Sequence, residues 1–350
     1  MDLSKYYKKG MVGLENLGST CFLNACMQVL NNTYELNAFI DSDNYSKYLK
    51  TDASDSVILT EWADLKSVMW SGNGVVTPRR FVYNVQQVAR SKKKEMFTGF
   101  VQNDMPEFLQ FFVECVHNSV SRRVSMKISG QSENEMDNRA IKCYTMLKET
   151  YTNEYSEIMD MYYGIYMSEI ISIQSGACHS MKPESYFILD LPIRNEQGAA
   201  KTIYNCLDMF TAAEVMEGDN AWLNEKTGQK EDVKKQISFW NFPNIVVITF
   251  NRFSVDGSKK LNHPIEFPLE DLDLSSYVRG YNPSSYKYDL FGICNHIGGV
   301  SGGHYTAFVR NAENKWLHYN DRVVEMVEDP TNVISPLAYC LFYRKKNNLL

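Results

Sequence analysis

The spacing of apolar residues changes character once along this chain, and that change constrains the fold more than any other feature. Over the first ~120 residues the spacing is helical. After Ser19 and Thr20, both good N-cap residues, Phe22, Leu23, Cys26, Val29 and Leu30 fall on one stripe, and Asn31-Asn32 offers a stop. A second helix is predicted from about Met105 to Val116. Asp104 can cap it, Pro106 is tolerated in its first turn, and Phe108, Leu109, Phe112 and Val116 supply its buried face. Residues ~121–157 are polar and charged with few turn formers, and read as helical or partly mobile. From about Tyr163 the pattern is that of strands: Glu169–Ile173, Tyr186–Leu191, Ile245–Phe253, Tyr288–Cys294, Tyr305–Arg310, Trp316–Tyr319 and Tyr339–Tyr343. Glu217–Gln236 is polar and reads as a connection or excursion between strands. Helices first and strands later predict an α+β fold, an antiparallel sheet packed against the earlier helices. There is no internal repeat and no low-complexity tract.

The chain has 350 residues, enough to bury a core without staples, as one large domain or two to three packed subdomains. Its formal net charge of −6 argues against nucleic-acid binding, which favours a basic excess. A mild acidic balance is compatible with a basic partner and is also common in soluble proteins. None of the eight cysteines forms a C-x-x-C pair, and the start, MDLSKYYKKG, has no apolar stretch of the kind a secretory signal needs. A reducing, intracellular setting, cytoplasmic or nuclear, is the expectation. No apolar run approaches the roughly 18 residues that span a bilayer, and Leu349-Leu350 is too short to anchor the chain.

Two regions carry chemistry. Cys21 stands at the start of a helix, after the turn-like run Asn16-Leu17-Gly18-Ser19-Thr20. Unpaired N–H groups there favour a thiolate, the nucleophilic form, and could receive an oxyanion. The plainer alternative is a buried structural cysteine, which Cys26, on the apolar stripe, is expected to be. The second region is GGVSGGH, a glycine-rich turn ending at His304. With a four-residue turn over 311–314, Arg310 faces Lys315, paired numbers sum to about 625, and His304 lies opposite Asn320 or Asp321. A shift of one residue in register decides which. Either way an imidazole meets a polar side chain that can fix its tautomer.

The run Gly13-Leu14-Glu15-Asn16-Leu17-Gly18-Ser19-Thr20-Cys21-Phe22-Leu23-Asn24 resembles the cysteine box of the ubiquitin-specific proteases. Gly302-Gly303-His304-Tyr305-Thr306-Ala307-Phe308-Val309, continuing to Trp316 and Tyr319-Asn320-Asp321, resembles their histidine box. Gln102-Asn103-Asp104-Met105-Pro106-Glu107-Phe108-Leu109 is similar to the family's acidic-helix motif. Asn251-Arg252-Phe253 is similar to a strand end that is usually Lys-Arg-Phe. The motifs keep family order from residue 11 to about 343.

The resemblance implies a single papain-like catalytic domain over 1–350, with a helical thumb over about 11–120. Fingers and part of the palm would span 160–240, and the palm with the histidine box 241–345. It implies Cys21 as nucleophile, His304 as general base, Asn320 as third triad member, Asp321 as an assisting acid and Asn16 as oxyanion donor; Asn16 could otherwise be a turn residue. Asp104 and Glu107 would hold the arginines of the ubiquitin tail, or else serve only the helix dipole. Pro106 departs from the usual Gln. Gly302 and Gly303 would belong to a lid, Gly298–Gly303, and Tyr305 would line a channel too narrow for side chains. The implied reaction is hydrolysis after the last glycine of ubiquitin, without a cofactor and with ubiquitinated proteins as partners. Many family members carry two C-x-x-C pairs that bind zinc in the fingers. Here Cys178 is followed by His179 and Met181, and Asn220–Glu225 holds no cysteine, so no metal site is expected. A catalytically weak ubiquitin-binding module, a peptidase for a ubiquitin-like modifier, and another Cys-His-Asn enzyme such as an acyltransferase are the rival readings.

Overall fold

The two halves of the pattern fold as separate layers. The computed structural model describes residues 2–225, 227–254, 257–300 and 302–346; Ser301 of the glycine-rich loop and Leu349-Leu350 lie outside the described residues. The helical layer comprises α1 (Cys21–Asn31), α2 (Tyr34–Ile40), α3 (Asp43–Tyr48), α4 (Ser54–Met69), α5 (Arg79–Ser91) and α6 (Met105–Val120). Later come α7 (Glu135–Glu154), α8 (Glu157–Tyr162) and α9 (Ile203–Thr211). The strands that position the site are β1 (Val12–Leu14), β2 (Gly74–Val76), β3 (Gly164–Ser172), β4 (Cys178–Tyr186), β5 (Ile188–Pro192), β6 (Glu214–Met216) and β7 (Val233–Asn241). They continue as β8 (Ile245–Asn251), β9 (Lys287–Gly299), β10 (Gly302–Arg310), β11 (Trp316–Asn320), β12 (Val323–Met326) and β13 (Ala338–Lys345).

The large sheet runs β12-β11-β10-β9-β13-β8-β5, with Leu272–Asp273 beside β9. It is antiparallel except for β5, which lies parallel to β8. The expected antiparallel sheet is therefore mixed at one edge. Alternation along β8 explains the layering: Ile245 and Val247 join the core beneath the helices, while Val246, Ile248 and Phe250 join a second core on the other face with α9. Both faces are covered, so the strand is apolar throughout. Gly292 on β9 lets α1 approach closely, since a Cβ there would lie 2.5 Å from Val29. This contact fixes the cysteine helix against the strand next to the histidine strand.

A smaller sheet, β4-β3-β7-β6, projects with α7 packed on it through Ala140 and Cys143 against Ile165, Met167 and Trp240. The polar stretch after residue 121 thus resolves into α7, capped by Asn134, which accepts from the Asp137 N–H. Elements not expected from the sequence include β4, which is largely solvated, and α9, which is set by a capping box of Thr202 and Asn205. The excursion expected over Glu217–Gln236 ends early, because β7 begins at Val233. It contains a short hairpin, Trp222–Asn224 with Gln229–Glu231. Among the described residues no helix is long and apolar enough to cross a membrane.

Candidate active site

The loop before α1 is built by one side chain. Asn16 Oδ1 accepts from the N–H groups of Gly18 (3.0 Å) and Thr20 (3.1 Å), while Gly18 and Ser19 take left-handed backbone angles, φ 100° and 56°. Thr20 is at the N-cap position, but its hydroxyl accepts from Leu17 N–H (2.9 Å), leaving the first helical amides without a side-chain cap. Cys21 follows at the first helical position, 3 % exposed.

Sequence reasoning expected the helix end to favour the thiolate. The structure corrects the balance. Burial pushes the Cys21 thiol above its ordinary value, and the nearby Asp321 carboxylate adds to this. The backbone amides of Tyr305, Phe22 and Cys21 itself pull the other way without prevailing. Burial thus disfavours the thiolate at this helix end.

His304 lies on β10, and its Nε2 is 2.7 Å from Asn320 Oδ1. An amide oxygen only accepts, so Nε2 carries the hydrogen and Nδ1 is left as the base. Register explains the choice of Asn320. The β10–β11 pairs run from Ala307↔Tyr319 to Arg310↔Trp316, so paired numbers sum to 626 rather than about 625. The turn is one residue longer than expected because Asn311 Oδ1 gathers the amides of Glu313 and Lys315. An even sum puts His304 and Asn320 on the same face as diagonal neighbours, and Asp321 out of that alignment. Among the described residues no hydrogen bond joins Cys21 Sγ to His304.

Asp321 turns instead to the cysteine loop. Its carboxylate accepts from Asn16 Nδ2 (3.0 Å) and from Asn24 Nδ2 (2.8 Å), and its carbonyl accepts from Leu14 N–H (2.9 Å). Gly13 permits this approach, since a Cβ there would lie 2.2 Å from the carbonyl oxygen of Arg322.

Cys21, Asp104, Gly302, Gly303 and Tyr305 line one cavity of about 370 Å³ between the helical layer and the sheet. Asp104 caps α6 by accepting from Glu107 N–H (3.2 Å) and also accepts from the hydroxyls of Tyr339 (2.8 Å) and Tyr305 (3.4 Å). Burial pushes its carboxyl up against these three donors. Glu107 does not line this cavity. It is exposed and lines a separate depression with Lys93, Lys94 and Glu114. The two carboxylates expected to act together are thus divided, because the capping geometry draws Asp104 toward the sheet.

Sequence reasoning assigned no role to five residues that support the site. Gln102 bonds both backbone groups of Gly303, accepting from its N–H (2.8 Å) and donating to its carbonyl (2.7 Å). Asn24 is 2 % exposed on α1, a buried polar placement that demands partners. His296 and Phe253 line the cavity, and burial followed by nearby Lys260 pushes the His296 imidazole down to about 4. Arg252, of the Asn-Arg-Phe motif, is fully buried and donates to the carbonyls of Ala338, Leu261 and His263; it supports the cavity wall and stands outside it.

Among the described residues no group of three or more His, Cys, Asp or Glu could hold a metal ion. His179 Nε2 lies 2.8 Å from Glu231 and the ring stacks on Trp222, which pairs with Glu231 across the short hairpin.

A cysteine at the start of a helix and a histidine on an antiparallel strand of the sheet packed against that helix make a papain-like fold. The chain belongs to the ubiquitin carboxyl-terminal hydrolase family, whose model matches residues 12–343. It is 32% identical over 341 residues to ubiquitin carboxyl-terminal hydrolase Usp2 of Drosophila melanogaster, covering 96% of this chain and 35% of the relative. It is 32% identical to human ubiquitin carboxyl-terminal hydrolase 2 (96% and 55%) and 31% identical to human ubiquitin carboxyl-terminal hydrolase 21 (96% and 61%). The chain thus spans from about a third to about three fifths of these relatives. The SAGA Ubp8/Sgf11/Sus1/Sgf73 DUB module bound to ubiquitin aldehyde shares the fold, with a TM-score of 0.74 and 23% identity over 99% of this chain and 72% of that one.

Proposed function

We propose that this chain is a deubiquitinating cysteine protease that hydrolyses the isopeptide or peptide bond after the C-terminal glycine of ubiquitin. The observation that carries the reading is the convergence of Cys21, at the uncapped start of α1, with the strand on which His304 is oriented by Asn320. His304 Nδ1 takes the Cys21 proton. The thiolate attacks the glycine carbonyl, and the tetrahedral intermediate collapses as the leaving amine takes the proton back. Water, activated by the same imidazole, then releases ubiquitin from the thioester.

Asn16 Nδ2 carries two hydrogens and spends one on Asp321, so the other is free for the oxyanion, beside the amides at the start of α1. A donor of this kind is worth about 3 kcal/mol in the transition state. Asp104, Gly302, Gly303 and Tyr305 line the path of the tail, with Asp104 receiving an arginine; Glu107 contributes from the separate depression it lines. Solved structures that share the fold include complexes with monoubiquitin and ubiquitin aldehyde, which supports ubiquitin as partner. Eight free cysteines support an intracellular setting.

The test is hydrolysis of ubiquitin carrying a C-terminal fluorogenic amide. Turnover abolished by Cys21→Ser supports the reading. Turnover that survives the substitution means another nucleophile, and binding without any turnover means a ubiquitin-binding module.

A further inference from the structure

We infer that Gln102 is a stand-in for substrate: in the free protein its carboxamide occupies the hydrogen-bonding place of a peptide group of the ubiquitin tail on the edge of β10, and it yields that place when the tail enters. The inference rests on the deubiquitinase reading and adds to it a residue that sets substrate affinity.

The argument begins with the edges of β10. Adjacent residues of an antiparallel strand point their peptide groups to opposite sides. His296, the partner of Tyr305 on β9, sends its N–H to the Leu337 carbonyl (2.9 Å), and its carbonyl accepts from Lys260 Nζ (2.5 Å). His296 therefore makes no ladder bonds to β10, and Tyr305 turns its own N–H and carbonyl away from β9. Gly303, two residues earlier, does the same. On that outer side β11 covers β10 only from Ala307 onward. The open edge thus spans the residues around Gly303 to Tyr305. Cys21 sits at its inner end, where the Tyr305 amide acts on the sulfur.

An extended tail whose last carbonyl reaches Cys21 can follow this edge in one direction only, past Gly303, because β11 closes the other. Two residues of strand place Gly303 about 7 Å from Tyr305. An exposed strand edge with a matched donor and acceptor is what an added strand pairs with. Gln102 now holds both groups, presenting one donor and one acceptor as a strand residue would. The seat is tight: a Cβ at Gly302, where φ is 146°, would lie 2.4 Å from Gln102 Oε1. Gln102 and Gly303 both line the cavity that holds Cys21, so the contact bridges its two walls. An amide in that bridge and a tail on the same edge compete for the same two groups.

The test compares the wild-type chain with Gln102→Met, which keeps the length of the side chain and removes its hydrogen bonds, and with Gln102→Ala. The readout is steady-state hydrolysis of ubiquitin with a C-terminal fluorogenic amide. Loss of a competing pair of neutral hydrogen bonds should lower KM by about three- to tenfold and leave kcat within about twofold. An unchanged or higher KM, or a fall in kcat in both variants, overturns the inference and makes Gln102 a strut for the histidine loop. A wild-type chain that hydrolyses nothing overturns the deubiquitinase reading itself and this inference with it.

Discussion

At the scale of single residues, the site separates two neighbours that sequence reasoning held together. Asn320 bonds His304, whereas Asp321 bonds Asn16 and Asn24. Their substitutions should therefore fail differently. Asn320→Ala should lower kcat by about 10²-fold by releasing the imidazole from its working orientation. Asp321→Ala should act through Asn16, so that adding Asn16→Ala costs little more. Steady-state kinetics of the two single variants and the double variant check this; damage from the Asp321 change alone would assign the base's partner wrongly. The carboxylates at the mouth divide in the same way. Asp104→Lys should raise KM more than it lowers kcat, with Glu107→Lys the weaker of the two, since only Asp104 lines the cavity with Cys21. Equal kinetics for both variants and wild type would leave Asp104 a helix cap alone. Cys21 and His304 were readable because a motif sits on each. Gln102 and Asn24 lie inside motifs too but were given no role, because their partners stand 200 or more residues away, and His296 lies in no motif and owes its importance to burial that no local pattern encodes.

Among the elements, apolar spacing identified those that bury a face. Every strand expected from period-two or continuous apolar runs is present, and α1 and α6 begin where their caps suggest. Among those that escaped, β4 is largely solvated and α9 is set by a local polar device, its capping box. The one-residue error in the hairpin has the same origin: Asn311 lengthened the turn through side-chain bonds that the count of turn residues ignored. The fingertips make a prediction at this scale. Cys178 stands alone there, and the linkage from β4 to the short hairpin is the His179–Glu231 pair over Trp222. Metal analysis of the pure protein should therefore find no stoichiometric zinc, since a tetrahedral site needs four ligands. One tightly bound zinc per chain would contradict this.

For the whole molecule, the sheet is the frame on which both halves of the site depend. Its buried wall carries a consequence for pH. His296 is held neutral, with its pKa pushed down to about 4 by burial and Lys260, against an ordinary value of 6.5. Between these values the unfolded chain binds the proton and the folded chain does not, so stability falls as pH drops through this window. The loss from this group alone is on the order of 3 kcal/mol by pH 4. Melting temperatures measured from pH 7 to pH 4 should fall more steeply for the wild type than for His296→Gln; parallel curves would mean that the ring is not held neutral. The division into a helical layer and a later sheet was visible in the spacing of apolar residues, but the mixed edge of the sheet and its second core were not, because long-range pairing leaves no local period.

The central claim is that one sulfur, at the start of α1, reacts with the carboxyl end of ubiquitin. Reaction of the full chain with ubiquitin bearing a C-terminal electrophile, followed by mapping of the modified residue, tests it most directly. The account predicts a single adduct on Cys21, absent in Cys21→Ala; no adduct, or one on any of the other seven cysteines, would contradict it.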